Sequence, residues 1–377
     1  MPEFGFATPS AAAAVADLPW APLLVPKEAI EREVDRLLDE APVTGLRDAT
    51  GLRAASVVHP RAIDGIPSLT PVTEVTIHVL KPGERTPPRR GNHALLETTV
   101  SGEGTVHMGT AFRVERHDVW TVPPMQVYSH HNTGRTPWVW LCYSNAPLLR
   151  RSGGYWAETL PAGTLAVPRK PAVSVTGELG ARYNRLNAPT HRLATAADLR
   201  GYEYLTDIEP VANPPRHWAW KDMAPYLPIH AGCNNDPAKR NIWLLYNPAT
   251  ERRQGTTPVH FATYGGAAPG TPPYAGARGH VHISASINYH IRGYGHSIVG
   301  GERIDWKAGD LLFSAPGWVE HAHYHGAEGW TVLTVQDHPL HIAMGSLLWQ
   351  ENPGDPILSL GNEDGQKGYV SPRQTGA

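Results

Sequence analysis

His280 and His282 stand two residues apart in "GHVHISASINYH", residues 279–290, a stretch that reads as a strand. Side chains alternate faces along a strand, so these two imidazoles point the same way. The same parity carries Ser284, Ser286, Asn288 and His290, provided no bulge or turn intervenes. The opposite parity carries Ile283, Ala285, Ile287, Tyr289 and Ile291, an apolar face suited to packing. A polar face inside a small barrel has to be satisfied by a ligand, water or a metal. A third donor is available from "PGWVEHAHYH", at His321, His323 or His325, on an adjoining strand. A single strand histidine is more often exposed or bonded within a core. Two on one face, with a cluster one hairpin later, point instead to metal binding.

These side chains need a scaffold of strands. Residues 26–41 read as one helix, with Ile30, Val34, Leu37 and Leu38 forming an apolar stripe and Pro26 at its start. From about residue 70 the chain turns to short alternating runs broken by Gly and Pro, such as "EVTIHVL" and "WVWLCYS". Residues 151–235 are irregular, with "TAADLRGYEYL" a candidate helix capped by Thr195. The strand pattern then returns. "VSGEGTVHMGTAFRVERHDVWTVPP" (100–124) repeats as "IRGYGHSIVGGERIDWKAGDLLFSAP" (291–316), matching Gly102 to Gly293, Gly104 to Gly295, Asp118 to Asp310 and Pro124 to Pro316. The fold expected is all-β, two antiparallel barrels or jelly rolls with a few flanking helices. The boundaries expected are a leader and helix (1–45), a first barrel (46–150), an irregular connector (151–235), a second barrel (236–350) and a polar tail (351–377).

Composition narrows the function. The 377 residues carry a formal net charge of -2 without a long basic or acidic run, which argues against nucleic acid or an anionic membrane as partner. No run of about 18 apolar residues is present, so no membrane-spanning helix is expected. The N-terminal alanine run lacks a basic region before it and reads as a flexible leader. Two cysteines, Cys142 and Cys233, do not make a disulfide framework, and a reducing cytoplasm is the expected location.

His280-x-His282, Gly293-x-Gly295, Gly309-Asp310 and Pro316-x-Trp318-x-x-His321 resemble the two motifs of a cupin domain. Over roughly residues 20–350 the chain is similar to the gentisate 1,2-dioxygenase family of bicupins, which includes salicylate and 1-hydroxy-2-naphthoate dioxygenases. "YHIRGYGHSIVGGERIDWKAGDLLFSAPGWVEH", "VSGEGTVHMG", "WVWLCYSNAPLL" and "NIWLLYNPAT" carry that likeness. The resemblance implies Fe(II) held by His280, His282 and His321. It implies a small aromatic hydroxy acid and O2 as substrates, with the ring opened between the carboxylate- and hydroxyl-bearing carbons. It also implies a homo-oligomer, dimer or tetramer. No acidic residue follows His282 at four or five positions, where many cupins carry a glutamate ligand. That absence favours the three-histidine site over the manganese site of oxalate decarboxylases. Near the metal, His290 and His323 are candidates to bond substrate, and Arg278 to clamp a carboxylate. Trp318 reads as barrel-mouth packing, and Gln336 and Asp337 are weaker candidates.

One departure stands out. In the family the first barrel usually carries the His-x-His pair. Here the matching positions are Arg89 and Gly91, with Tyr128 or Ser129 opposite His321, and His93, His130 and His131 off register. The first barrel is therefore expected to be metal-free, and the second to do the chemistry. The competing readings are another metal enzyme on the same fold (a decarboxylase, isomerase or hydrolase) and a non-catalytic binding bicupin.

Overall fold

A computed structural model describes residues 20–40, 53–62, 64–167, 190–200, 211–227, 241–271, 279–366 and 368. The chain starts with β1 (Leu23–Val25) and a helix α1 (Lys27–Asp39), which buries Ile30 and Leu37 of the expected stripe. The first repeat follows as β2 (Arg53–Val57), β3 (Glu74–Leu80), β4 (Arg89–Gly91), β5 (Leu95–Ser101) and β6 (Gly104–Met108). It continues through β7 (Thr110–Val114), β8 (Val119–Val122), β9 (Ser129–His131) and β10 (Trp138–Ser144). Short strands β11 (Ala157–Thr159), β12 (Thr190–Arg192), β13 (Asp198–Arg200) and β14 (Arg216–Trp218) lie between the repeats. The second repeat is β15 (Asn241–Leu244), β16 (Phe261–Ala267), β17 (Val281–His282), β18 (Ser286–Val299), β19 (Glu302–Lys307), β20 (Leu311–Ala315) and β21 (His321–Gln336). A hairpin of β22 (Leu348–Gln350) and β23 (Leu358–Ser359) ends it.

The two main sheets have matching order. One runs β14-β8-β5-β10-β3-β2, the other β1-β20-β18-β21-β16-β15, all antiparallel. Each places a strand from elsewhere in the chain on its edge: β14 covers β8, and β1 covers β20. An exposed edge offers unpaired backbone groups to other chains, so both additions close a liability. The sheets are open rather than fully closed barrels, consistent with the jelly-roll form of the bicupin expected from sequence. The matched glycines are forced by the repeat. Gly102 and Gly293 have φ of +75° and +85°, and an added Cβ at either would strike the backbone of the neighbouring strand.

The outer faces of the two sheets share one core. Val75, Ile77, Leu96, Val139 and Leu141 of the first repeat join Tyr264, Ile287, Tyr289, Phe313 and Leu333 of the second. The odd parity around His282 thus packs as expected at Ile287 and Tyr289. The expected helix at Thr195 is corrected. β12 and β13 form a hairpin there, Thr195 lies in its turn, and Leu193 N–H donates to the Ala197 carbonyl at 2.8 Å. That segment belongs to a separate small unit, Ala166–Pro214. Too few apolar residues recur at helical spacing there to reward a helix over a local hairpin.

Candidate metal centre

Three strand ends bring the histidines together. His280 precedes β17, His282 closes it, and His321 opens β21. His280 and His321 face each other across a bridge, exchanging N–H···O bonds of 3.2 and 3.0 Å. One side-chain nitrogen from each of His280, His282 and His321 lies within 4.8 Å of the others, and all three residues are buried. His321 is therefore the third donor of this cluster, rather than His323 or His325.

Hydrogen bonds assign the tautomers of His282 and His321. His282 Nδ1 lies 2.8 Å from the Ser284 carbonyl, and His321 Nδ1 lies 2.9 Å from the Val319 carbonyl. A carbonyl only accepts, so each Nδ1 carries the proton and each Nε2 presents a lone pair. His282 Nε2 is buried with no hydrogen-bond partner. Burial, then the neighbouring His321 and His338, push the His282 imidazole well below its ordinary pKa. It is neutral at physiological pH, as a metal ligand must be. An orphaned nitrogen in an all-imidazole set fits a divalent transition metal.

The cluster borders an open pocket walled by His280, His321, His323, Phe261, Thr263, Gly265, Ser286, Asn288, Trp330, Val332, Thr334 and Gln336, with Ile242 beside them. These described lining residues include no lysine, arginine or carboxylate. Polar side chains are held in place by one another. Asn288 Nδ2 donates to Ser314 Oγ at 3.0 Å, Thr334 Oγ1 donates to Asn288 Oδ1 at 2.8 Å, and Gln336 Nε2 donates to Ser286 Oγ at 3.1 Å.

The other expected site residues separate. His323 lines the pocket, its Nδ1 2.7 Å from Ser297 Oγ, which itself accepts from Trp306 Nε1 at 3.0 Å. His290 does not reach the pocket. Its ring stacks on Trp306 at 3.9 Å, and Trp330 Nε1 donates to its Nδ1 at 3.2 Å. Trp330, not His290, forms that part of the wall, and burial lowers the His290 pKa to about 3. Arg278 lies outside the described residues. Trp318 bridges to His282 at the barrel mouth, and Gln336 lines the pocket. Asp337 is buried, accepting from Ala285 N–H at 2.7 Å.

Sequence reasoning missed the backing of the ligands. Trp349, from β22, stacks on both His280 (5.0 Å) and His282 (5.3 Å). β22 pairs directly with β17, so the last residues before the tail form a wall behind the histidines. No sequence signal announces it, because the pairing is long-range.

The first repeat holds other chemistry at the same places. Arg89 and Tyr128 form the bridge that His280 and His321 form, which fixes Tyr128 as the counterpart of His321. The Arg89 guanidinium lies 4.9 Å over the Tyr128 ring. At Gly91 an added Cβ would strike the His93 ring. His130 faces Glu97, with Nε2 3.0 Å from Oε2. Among the described residues His93, His130 and His131 form no metal cluster.

The fold and the cluster define a bicupin whose candidate metal centre is in its second barrel. Its sequence is 24% identical to a gentisate 1,2-dioxygenase of Haloferax sp over 329 residues, 83% of each chain. It is 25% identical to a 1-hydroxy-2-naphthoate 1,2-dioxygenase of Nocardioides sp. (strain KP7) over 325 residues, 85% of this chain and 77% of that one. The salicylate 1,2-dioxygenase of Pseudaminobacter salicylatoxidans has a similar fold, with a TM-score of 0.66 at 18% identity over 88% of each chain. No family model matches the sequence. The resemblance to gentisate 1,2-dioxygenase-like bicupins, first read from motifs, is borne out by these relatives.

Proposed function

We propose that the chain is an Fe(II)-dependent ring-cleaving dioxygenase of the gentisate or salicylate type, acting from its second barrel. The observation that carries this reading is the cluster of His280, His282 and His321, with a bare, buried His282 Nε2 beside an open pocket. Relatives named as ring-cleaving dioxygenases support the reaction class. In this reading the three imidazoles hold Fe(II). When bound, that ion supplies a meeting point for a hydroxy acid and O2 and a path for electron density between them.

The chain's own residues bind and orient the substrate. Phe261, Val332 and Trp330 give apolar walls for a ring, and the interlocked Asn288 and Gln336 amides give neutral polar ones. His323 offers a nitrogen beside the centre for hydrogen bonding a substrate oxygen. Its Nδ1 contact with Ser297 fixes the ring's orientation. We assign Arg278, two residues before His280, to the carboxylate. The substrate is a small aromatic hydroxy acid, a substituted salicylate included. The all-imidazole cluster favours this reading over manganese-dependent decarboxylation, since among the described residues no carboxylate joins it.

The test is anaerobic loading of the purified chain with Fe(II), Mn(II) or Zn(II), followed by 2-hydroxybenzoates and O2. Oxygen uptake with iron alone, and a product heavier than its substrate by one O2, is the expected result. Turnover that survives both His280→Ala and His282→Ala would overturn it.

A further inference from the structure

We infer that Ser284 and His338 are positioning residues that fix the orientation of the His282 ring and hold its Nε2 ready for the metal. The inference rests on reading His280, His282 and His321 as ligands. The strand does little to hold His282 itself. β17 has only two residues, and the chain bends through residues 283–285 immediately after it. Side-chain bonds take over. Ser284 is fully buried, and its Oγ lies 2.9 Å from His282 Nδ1 and 2.6 Å from His338 Nδ1.

One proton along this chain can be placed. His282 Nδ1 carries its proton, because the Ser284 carbonyl beside it can only accept. The Ser284 hydroxyl therefore accepts from His282, and its oxygen lies within hydrogen-bond distance of His338 Nδ1. His338 is held in turn by stacking on Phe261 of the pocket wall, with ring centroids 5.2 Å apart. The opposite tautomer of His282 would aim an N–H at the other two histidines and exclude a metal.

The first repeat supplies the control. Ala94 N–H donates to Asn145 Oδ1 at 2.8 Å, as Ala285 N–H donates to Asp337 Oδ1 at 2.7 Å. This anchor is present in both repeats and belongs to the fold. The residues beside it differ. His93 precedes Ala94 where Ser284 precedes Ala285, and Ala146 follows Asn145 where His338 follows Asp337. The hydroxyl-to-imidazole link occurs in the repeat with the histidine cluster and is replaced in the other. A purely structural link would be expected to persist with the anchor.

Zinc and Co(II) affinity, measured on the metal-free full chain by competition with a chromophoric chelator, tests this without turnover. Ser284→Ala and His338→Phe should each weaken binding by ~10–100-fold, the usual effect of losing an outer partner of a ligand. The unfolding midpoint of the metal-free chain should stay close to that of the parent. Ser284→Thr and His338→Asn, which keep the hydroxyl and a hydrogen-bonding partner for it, should restore affinity. Parental affinity in both Ser284→Ala and His338→Phe overturns the inference while leaving the ligand reading intact. If His282→Ala binds as tightly as the parent, the ligand reading falls, and the inference with it. Should Ser284→Ala fail to fold, His338→Phe and its rescue by His338→Asn decide the matter.

Discussion

The two barrels share a ladder and differ in what fills it. Glu97 pairs with Cys142 and Trp120 across its neighbouring strands, and Asn288 pairs with Thr334 and Leu312. His78 faces Trp140 in the first barrel, where Gly265 faces Val332 in the second. Large rings thus stand in barrel one where small side chains leave the pocket in barrel two. Among the described residues, the apolar interior cluster has eleven buried residues in the first barrel and four in the second. The buried Glu97 carboxylate accepts from Trp120 Nε1 (2.6 Å) and Trp140 Nε1 (3.1 Å), besides its contact with His130. The first barrel is filled by large side chains around a buried carboxylate held by His130, Trp120 and Trp140. The second retains an opening lined in part by small polar side chains. Cavities cost stability, so a chain that keeps one open gains from filling the other.

The largest expected effect comes from the ligands themselves. His280→Ala or His282→Ala should abolish metal binding and oxygen uptake, beyond the ~100-fold that an outer partner costs. The reciprocal change, Arg89→His with Gly91→His, should recruit no metal to the first barrel. The His93 ring already occupies the space beside Gly91. Metal content per chain by elemental analysis checks both, and a second metal in the double variant would break the comparison.

Next is the pocket. Val332→Trp copies Trp140 of the first barrel into the wall of the second. KM for the best substrate should rise by ~10-fold or more, the equivalent of about 1.4 kcal/mol of binding. Metal content should be unchanged. An unaltered KM would mean that this wall does not contact substrate.

The first barrel should fail differently. Glu97→Ala leaves His130 and two indole N–H groups without their buried acceptor. Removing one partner of such a buried pair costs about 3–5 kcal/mol. Denaturant unfolding should report that loss, while the folded fraction keeps its metal. Asn288→Ala in the second barrel should cost less, since Ser314 and Thr334 are neutral partners.

How much of this was legible follows from range. The His-x-His spacing and the repeat are local patterns, and strand parity and turn sterics fix them. They gave the histidine cluster and the matched sheets. Parity from Ser286 to His290 held, since Asn288 and His290 pair with Thr334 and Val332 of the pocket wall, but spacing does not show which ring covers another. His290 lies behind Trp330. Trp349 and His338 reach the centre only through pairing and stacking across the fold, which no spacing encodes. The Thr195 segment had a cap residue but no apolar stripe to support a helix.

The smallest effect contrasts two buried acids. Burial raises the Asp337 pKa to about 7, against the hydrogen bond from Ala285. The folded chain then holds a proton that the unfolded chain releases near pH 4. Stability should therefore be highest below about pH 4 and fall as pH rises towards 7. Burial would also raise Glu97, but His130, with His78 and Arg89, outweighs it and holds the carboxyl below its usual range. Its contribution is present above the unfolded carboxylate pKa and is lost as pH falls below it. Asp337→Asn should flatten the first slope, and the Asn145 anchor of the first repeat shows that an amide can make the same bond. Glu97→Gln should flatten the second. Urea unfolding from pH 2 to 8 checks both, and slopes of the same sign would show that the two carboxyls do not differ as their surroundings require.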